Sequence, residues 1–355
     1  MFALEEGTVK GSKKIFNILS LMLISTLMVS CNKEGNFKSK DEIKIGVTLY
    51  RQDDTFISSI SSNLEEIVKE NESKYDFKIL LQFVDAKGST LNQGNQVDKF
   101  IEQDYDVICV NLVDRTAAAT IIDKAKLANI PIVFFNREPV EEDMNRWNKV
   151  YYVGAQAEQS ARLQADIVAE TWLSNTELYD KNKDDKIQYV ILEGEPGHQD
   201  TLIRTEYCIK ALKDRGFELE KLADDNANWQ SDQAISKMNQ WIKEFGDDIE
   251  VVFSNNDAMA LGAIHAINSN SDLIRKPIVV GVDGIKEALE FIKNGQMDGT
   301  VISDAYGQAE ALFEISIAAS NGESIENISG IEKEKYKKLP HTKITIDNVD
   351  EYLKD

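Results

Sequence analysis

Two α/β domains, each built on a mostly parallel β-sheet with helices on both faces, are predicted by three features of this 355-residue sequence. Short runs rich in β-branched and aromatic residues alternate with amphipathic stretches of helix length, the pattern of parallel strands joined by helical crossovers. The rhythm runs from residue 43 to 154 and resumes from 187 to 302, which makes too many strands for one comfortable sheet. Polar residues follow the apolar runs again and again, as expected where a ligand binds beyond the carboxyl ends of parallel strands.

The first segment stands outside this pattern. Lys10, Lys13 and Lys14 precede the apolar run "IFNILSLMLISTLMV", and the stretch ends in "MVSC" at Cys31. A basic region, an apolar region and a small residue before cysteine form a secretory signal of the lipoprotein type. Cleavage before Cys31 with a lipid on its sulfur is the expectation; a plain signal peptide or an N-terminal membrane anchor is the alternative. Residues 1–30 are then the signal peptide. The polar stretch 31–42 is a tether between membrane and domain.

The strands of the first half are "IKIGVTLY", "DFKILLQFVD", "YDVICVNLV", "IPIVFFN" and "VYYVG". Those of the second half are "IQYVILEG", "IEVVFSNND", "PIVVGVDG" and "MDGTVISD". No span beyond the N-terminal one is long and apolar enough to cross a bilayer. The net charge of -21 excludes a nucleic-acid partner, since a phosphate backbone needs a basic surface. Cys109 lies in an apolar run and Cys208 in a helical stretch, and both read as separate buried thiols rather than a disulfide. His265 and His341 have no partners at metal-ligand spacing and read as structural.

The strand ends carry the chemistry. Asp53, Asp54 and Phe56 follow the first strand, and Asn136 follows "IPIVFF". His198, Asp200 and Arg204 follow "IQYVILEG"; Asn255, Asn256 and Asp257 follow "IEVVFS"; Asp283, then Ser303 and Asp304, end the last two. An aspartate in such a place is commonly a helix N-cap, and Asp257 and Asp304 are read that way first. As a set, carboxylates, amides, a guanidinium and an imidazole suit a neutral polyol, whose hydroxyls donate to carboxylates and accept from amides and guanidinium. Phe56 and Trp229 offer flat faces for the apolar sides of a sugar ring. A further stretch, "DKNKDDKIQ", places oxygen ligands at Asp180, Asn182, Asp184 and Gln188, the spacing of a calcium loop. Asp185 stands at the usual glycine and Ile191 at the usual final glutamate, so these nine residues alone favour a polar turn over a metal site.

In order and approximate spacing, "GVTLYRQDDTF", "VNLVDRTAAATII", "PIVFFNREP", "LEGEPGHQDTLIRTEY", "SNNDAMALGAI" and "VVGVDGIKEAL" resemble the periplasmic galactose/glucose-binding proteins, the hexose receptors of ABC importers. The resemblance covers about residues 43–345. It implies two Rossmann-like doubly wound lobes joined by a three-crossing hinge, the type I periplasmic binding protein fold. The lobes would comprise 43–153 plus 305–339 and 156–302 plus 342–355, with crossings near Val153–Gln156, Ile302–Ala305 and Leu339–Thr342.

Carried over residue by residue, the resemblance implies sugar contacts at Asp54, Asn136, His198, Asp200, Arg204, Asn256 and Asp283, with Phe56 and Trp229 stacking on the ring. Ser303 stands where the family pattern has asparagine. The resemblance also implies a structural calcium ion held by Asp180, Asn182, Asp184, the carbonyl of Lys186, Gln188 and a distant Glu250. The expected function is capture of D-galactose or D-glucose by hinge closure and its delivery by a lipid-anchored monomer to permease subunits. A sensor for a membrane chemoreceptor or kinase, or a receptor for another monosaccharide, is the alternative. Paired carboxylates also serve glycoside hydrolysis, yet a site that holds hydroxyls needs the same residues, and no enzyme activity is expected.

Overall fold

The computed structural model describes residue 2 and residues 41–353, apart from 271, 272 and 274. The expected signal segment apart from residue 2, most of the tether and Cys31 lie outside the described residues. Among the described residues no helix is long and apolar enough to cross a membrane.

The first lobe opens with β1 (Glu42–Leu49), α1 (Thr55–Asn71), β2 (Lys78–Asp85), α2 (Thr90–Glu102), β3 (Val107–Val110), α3 (Ala118–Ala128), β4 (Ile132–Phe135) and β5 (Val150–Ala155). β3 and β4 read "VICV" and "IVFF" and are buried along their whole length, as strands covered on both faces must be. α1 begins where the Asp54 carboxylate accepts the Ile57 N–H at 2.9 Å. The strand order is 2-1-3-4-5, extended by two late strands, β12 (Tyr336–Leu339) parallel to β5 and β11 (Ile331–Glu332) antiparallel at the edge.

The second lobe contains α4 (Ala157–Ser174), β6 (Lys186–Glu193), α5 (Gln199–Asp214), β7 (Glu218–Asn226), α6 (Ser231–Phe245), β8 (Val251–Ser254), α7 (Asp257–Ser269), β9 (Ile278–Val280), α8 (Lys286–Lys293) and β10 (Thr300–Ser303). β7, β6, β8 and β9 form a parallel sheet. β10 pairs antiparallel with β13 (His341–Ile344) and touches the end of the parallel sheet through single bridges, Val280 to Gly299 and Asp283 to Ile302.

Three passages join the lobes. β5 runs into α4, β10 runs into α9 (Ala305–Asn321), and β12 runs into β13. α9 returns to the first lobe, where Ala309, Leu312, Phe313 and Ile315 pack with the β1, β3 and α1 side chains. α4 belongs to the second lobe, where Ile167, Val168 and Trp172 pack with β6 and β8. The buried apolar clusters each draw on one lobe alone. Among the described residues the lobes therefore share no hydrophobic core, a condition that two bodies moving about a hinge must meet. The fold is the two-domain α/β architecture expected from the strand–helix rhythm.

Candidate functional site

The carboxyl ends of both sheets meet around one narrow cavity with about 30 Å³ of free space, beyond the strand ends where α/β sheets bind ligands. Asp54, Phe56 and Asn136 line it from the first lobe; His198, Asp200, Arg204, Trp229, Asn256 and Asp283 line it from the second. Ser303 is not among the lining residues. It is buried beside them, its N–H donating to the Asp283 carbonyl at 3.1 Å and its Oγ accepting from Gln308 Nε2 at 3.3 Å. Tyr50, Ile57 and Arg137 line the cavity although the sequence reading passed over them. Arg137 directly follows Asn136 at a strand end, so the strand-end rule applied one residue further would have found it. Tyr50 closes the run "IKIGVTLY" and reads as strand.

Backbone strain marks the same place. Asn136 (φ 60°), Trp229 (φ 64°) and Asp283 (φ 129°) all sit at positive φ, which non-glycine residues avoid. Each such residue costs about 1–3 kcal/mol, and clustering at one cavity is characteristic of functional sites. The tryptophan needs a second concession. A Cβ on Gly194 would overlap the indole ring, so glycine there admits it. The ring then meets His198 edge-on, with centroids 5.1 Å apart.

Hydrogen bonds fix the polar groups before any ligand arrives. Asp54 caps α1 with one oxygen and accepts the Tyr50 hydroxyl at 2.5 Å with the other. Arg204 donates to the Asn255 carbonyl at 2.7 Å and to Asp200 at 3.1 Å. Asn256 caps α7 through the Met259 N–H at 3.0 Å. His198 accepts the Asp200 N–H at Nδ1, 3.1 Å, which leaves the proton on Nε2. Burial, with the nearby charges of Arg137, Arg204 and Arg115, depresses its pKa well below the usual histidine value, so the ring is neutral. Burial raises Asp283 well above the usual carboxylate value against the pull of Arg204. It raises Asp200 as well, again opposed by Arg204. Nε of both Arg137 and Arg204 is buried without a partner. An orphaned buried donor costs about 1–3 kcal/mol, so each favours a ligand that brings acceptors. The two aspartates behind the N-cap expectation divide. Asp304 caps α9 through Gly307 N–H at 2.8 Å. Asp257 is a structural tie, holding the Gly284 and Ile285 N–H groups and the Thr300 hydroxyl, while Asn256 takes the cap.

The loop 180–188 lies on the second lobe. Asp185 is at φ 62° and Lys183 at φ 61°, so aspartate takes the left-handed turn that glycine usually makes in a calcium loop. Glu250, just before β8, accepts the Lys181 N–H at 2.6 Å and the Gln188 N–H at 3.0 Å, and so reaches both ends of the loop. Asp180 accepts from the Asp184 and Asp185 N–H groups, and Asp184 from Lys186 N–H and Gln188 Nε2. Gln188 Oε1 is buried with no partner. Among the described residues no three acidic, imidazole or thiol groups already converge as a metal cluster. The donor set of hard oxygens, with one of them orphaned, nevertheless fits a hard cation in chemistry. Cys109 and Cys208 are separate, buried thiols, pushed up to about 12 by burial.

Comparison with known proteins places this geometry. The periplasmic binding protein domain family matches residues 45–324. The D-galactose/methyl-galactoside binding periplasmic protein of Haemophilus influenzae is 38% identical over 313 residues, 88% of this chain and 92% of that protein. A putative rhizopine-binding protein of Rhizobium meliloti is 29% identical, over 79% of this chain and 86% of that one. An ABC transporter solute binding protein of Bacillus halodurans C-125, solved with bound myo-inositol, superposes with a TM-score of 0.73 at 30% identity, over 88% of this chain and 97% of that one. The cavity between two lobes thus has no reaction to run: the chain belongs to the periplasmic binding protein family, as a substrate-binding protein and not an enzyme.

Proposed function

We propose that the protein is the extracytoplasmic solute receptor of an ABC importer and that it clamps one neutral hexose, D-galactose or D-glucose, between its lobes. The observation that carries this reading is convergence. Three expected contacts from the first lobe and six from the second line one cavity. The 38% identity to a galactose/methyl-galactoside binding protein supports the galactose side. A sugar first engages one lobe, and rotation about the three crossings brings up the other. Closure is favoured because only the closed form contacts the ligand from both sides. Asp54, Asp200 and Asp283 accept from hydroxyls, and Arg204, His198 Nε2 and the amides of Asn136 and Asn256 donate to them. Phe56 and Trp229 cover the ring faces.

The reading extends to a lipid at Cys31 that keeps a monomeric receptor at the membrane, near permease subunits that recognise the closed form. It includes a structural calcium ion held by Asp180, Asn182, Asp184, the Lys186 carbonyl, Gln188 and Glu250, with Glu250 tying the loop to β8. The myo-inositol in a relative's structure favours one second reading, a cyclitol receptor. Calorimetric titration of the soluble protein from residue 32 with D-galactose, D-glucose, D-ribose and myo-inositol separates them. One-to-one binding of a hexose in preference to the others supports the proposal. Stronger binding of myo-inositol replaces it with the second reading, and binding of none sinks both.

A further inference from the structure

The pair formed by Arg137 and Glu195 crosses the cleft, and nothing in the expected contact set includes either residue. Arg137 follows β4 in the first lobe and is held in place before it meets the second. Its NH1 donates to the Val113 carbonyl at 2.8 Å, and its guanidinium lies 3.7 Å from the Tyr50 ring centroid. The remaining terminal nitrogen, NH2, donates to Glu195 Oε2 at 2.6 Å. Glu195 sits in the loop between β6 and α5, in the second lobe, and is not among the residues lining the cavity. Gln199 adds a neighbouring link, its Nε2 donating to the Asn136 carbonyl at 3.2 Å.

The other guanidinium of the cavity, Arg204, is matched to Asp200. Each cavity guanidinium therefore already has a carboxylate partner, while Asp54 adds a further acidic group to the wall. A neutral ligand gains donors and acceptors from this arrangement. An anionic one must displace a carboxylate from an arginine or face several carboxylates at close range, which like-charge repulsion penalises. The pair also exists only when the lobes are together, since its members come from different lobes.

Resting on the hexose-binding reading, we propose that Glu195 is a specificity-determining residue: by holding Arg137 it stabilises the closed cleft and withholds that guanidinium from acidic sugars. The ligand class is neutral hexoses, with hexuronates excluded by Glu195 rather than by cavity size.

The test compares wild type with E195Q, which keeps the shape and an acceptor but removes the charge. D-galactose, D-glucose and D-galacturonate are titrated against both, with galacturonate also measured by displacement of bound galactose, and dissociation rates are followed by stopped flow. E195Q is expected to weaken both hexoses by about tenfold, chiefly through faster dissociation. Galacturonate binding should hold or improve, so that the galactose-to-galacturonate preference narrows by at least about tenfold. Ligand-free melting equal to that of wild type shows that the fold is intact. A preference unchanged between the two proteins overturns the proposal, as does an unchanged hexose affinity. Wild type that binds no hexose fails the underlying reading instead, and takes this proposal with it.

Discussion

At the scale of single residues, His341 has the least ordinary surroundings. It is buried, and neither ring nitrogen has a partner. Burial, with a smaller contribution from the Arg204 charge, pushes its pKa down to about 3. An unfolded histidine titrates near 6.5, so above that pH the ring is neutral in both states. As the pH falls from about 6.5 toward 3, unfolding takes up a proton that the native ring refuses, and stability drains by about 1.4 kcal/mol per pH unit. H341F removes that dependence. Urea unfolding of both proteins should show the variant gaining about 2 kcal/mol on wild type between pH 8 and pH 5. A gap that stays constant across this range rules the assignment out. Gly194 gives a second test. G194A sets a methyl group against the Trp229 ring. It should weaken hexose binding about tenfold or more by moving a stacking face worth roughly 1–3 kcal/mol, while the ligand-free fold persists. Wild-type affinity in G194A would mean that the ring makes no contact with the ligand.

At the scale of elements, the loop 180–188 and the strand β7 show what a sequence does and does not disclose. The alternating oxygens of the loop are plain in "DKNKDDKIQ", and the left-handed Asp185 follows from the turn they imply. Its link to Glu250 spans 62 residues from Gln188 and could come only from resemblance or from coordinates. Calcium should raise the melting temperature of the metal-stripped protein. E250Q should remove most of that gain, because the oxygen bridging the loop ends loses its charge. Identical melting with calcium and with chelator would argue that the loop is a polar turn. β7 went unread for a different reason. "ELEKLADDN" is an edge strand, half exposed and charged, with no apolar run to announce it. Charge on an edge strand protects against pairing with other chains, and it also hides the strand from a hydrophobic pattern. The buried β3, β4 and β8 carry the opposite signature and were legible at once.

At the scale of the whole molecule, the strand–helix rhythm discloses two α/β lobes, and the strand-end rule discloses most of the cavity. It missed Tyr50, Ile57 and Arg137, and a rule about strand ends says nothing about which residues meet across a cleft, as Arg137 and Glu195 do. Ser303 illustrates the converse: it lies at a strand end, and its hydroxyl is engaged by Gln308 outside the lining. Hinge closure makes its own prediction. With hexose bound, small-angle scattering should report a smaller radius of gyration than without it, because the proposed clamp lets lobes whose described residues share no hydrophobic core part when the cavity is empty. Equal radii with and without a bound sugar would contradict the clamp.

The three crossings also govern the order in which the molecule can be made. α9 covers one face of the first sheet, and β12 extends its edge, yet both lie after nearly all of the second lobe in the sequence. While the chain is being synthesised or threaded through a membrane, the earliest half of the protein waits with Val47, Cys109, Val133 and Val153 lacking the cover that Leu312 and Ile315 later provide. Neither lobe is a continuous piece of polypeptide, and the first is completed only after nearly all of the second has been made. A nascent chain halted at residue 303 would present that bare sheet to its surroundings. Such a chain suits passage in the unfolded state, with assembly deferred until its last fifty residues arrive on the far side.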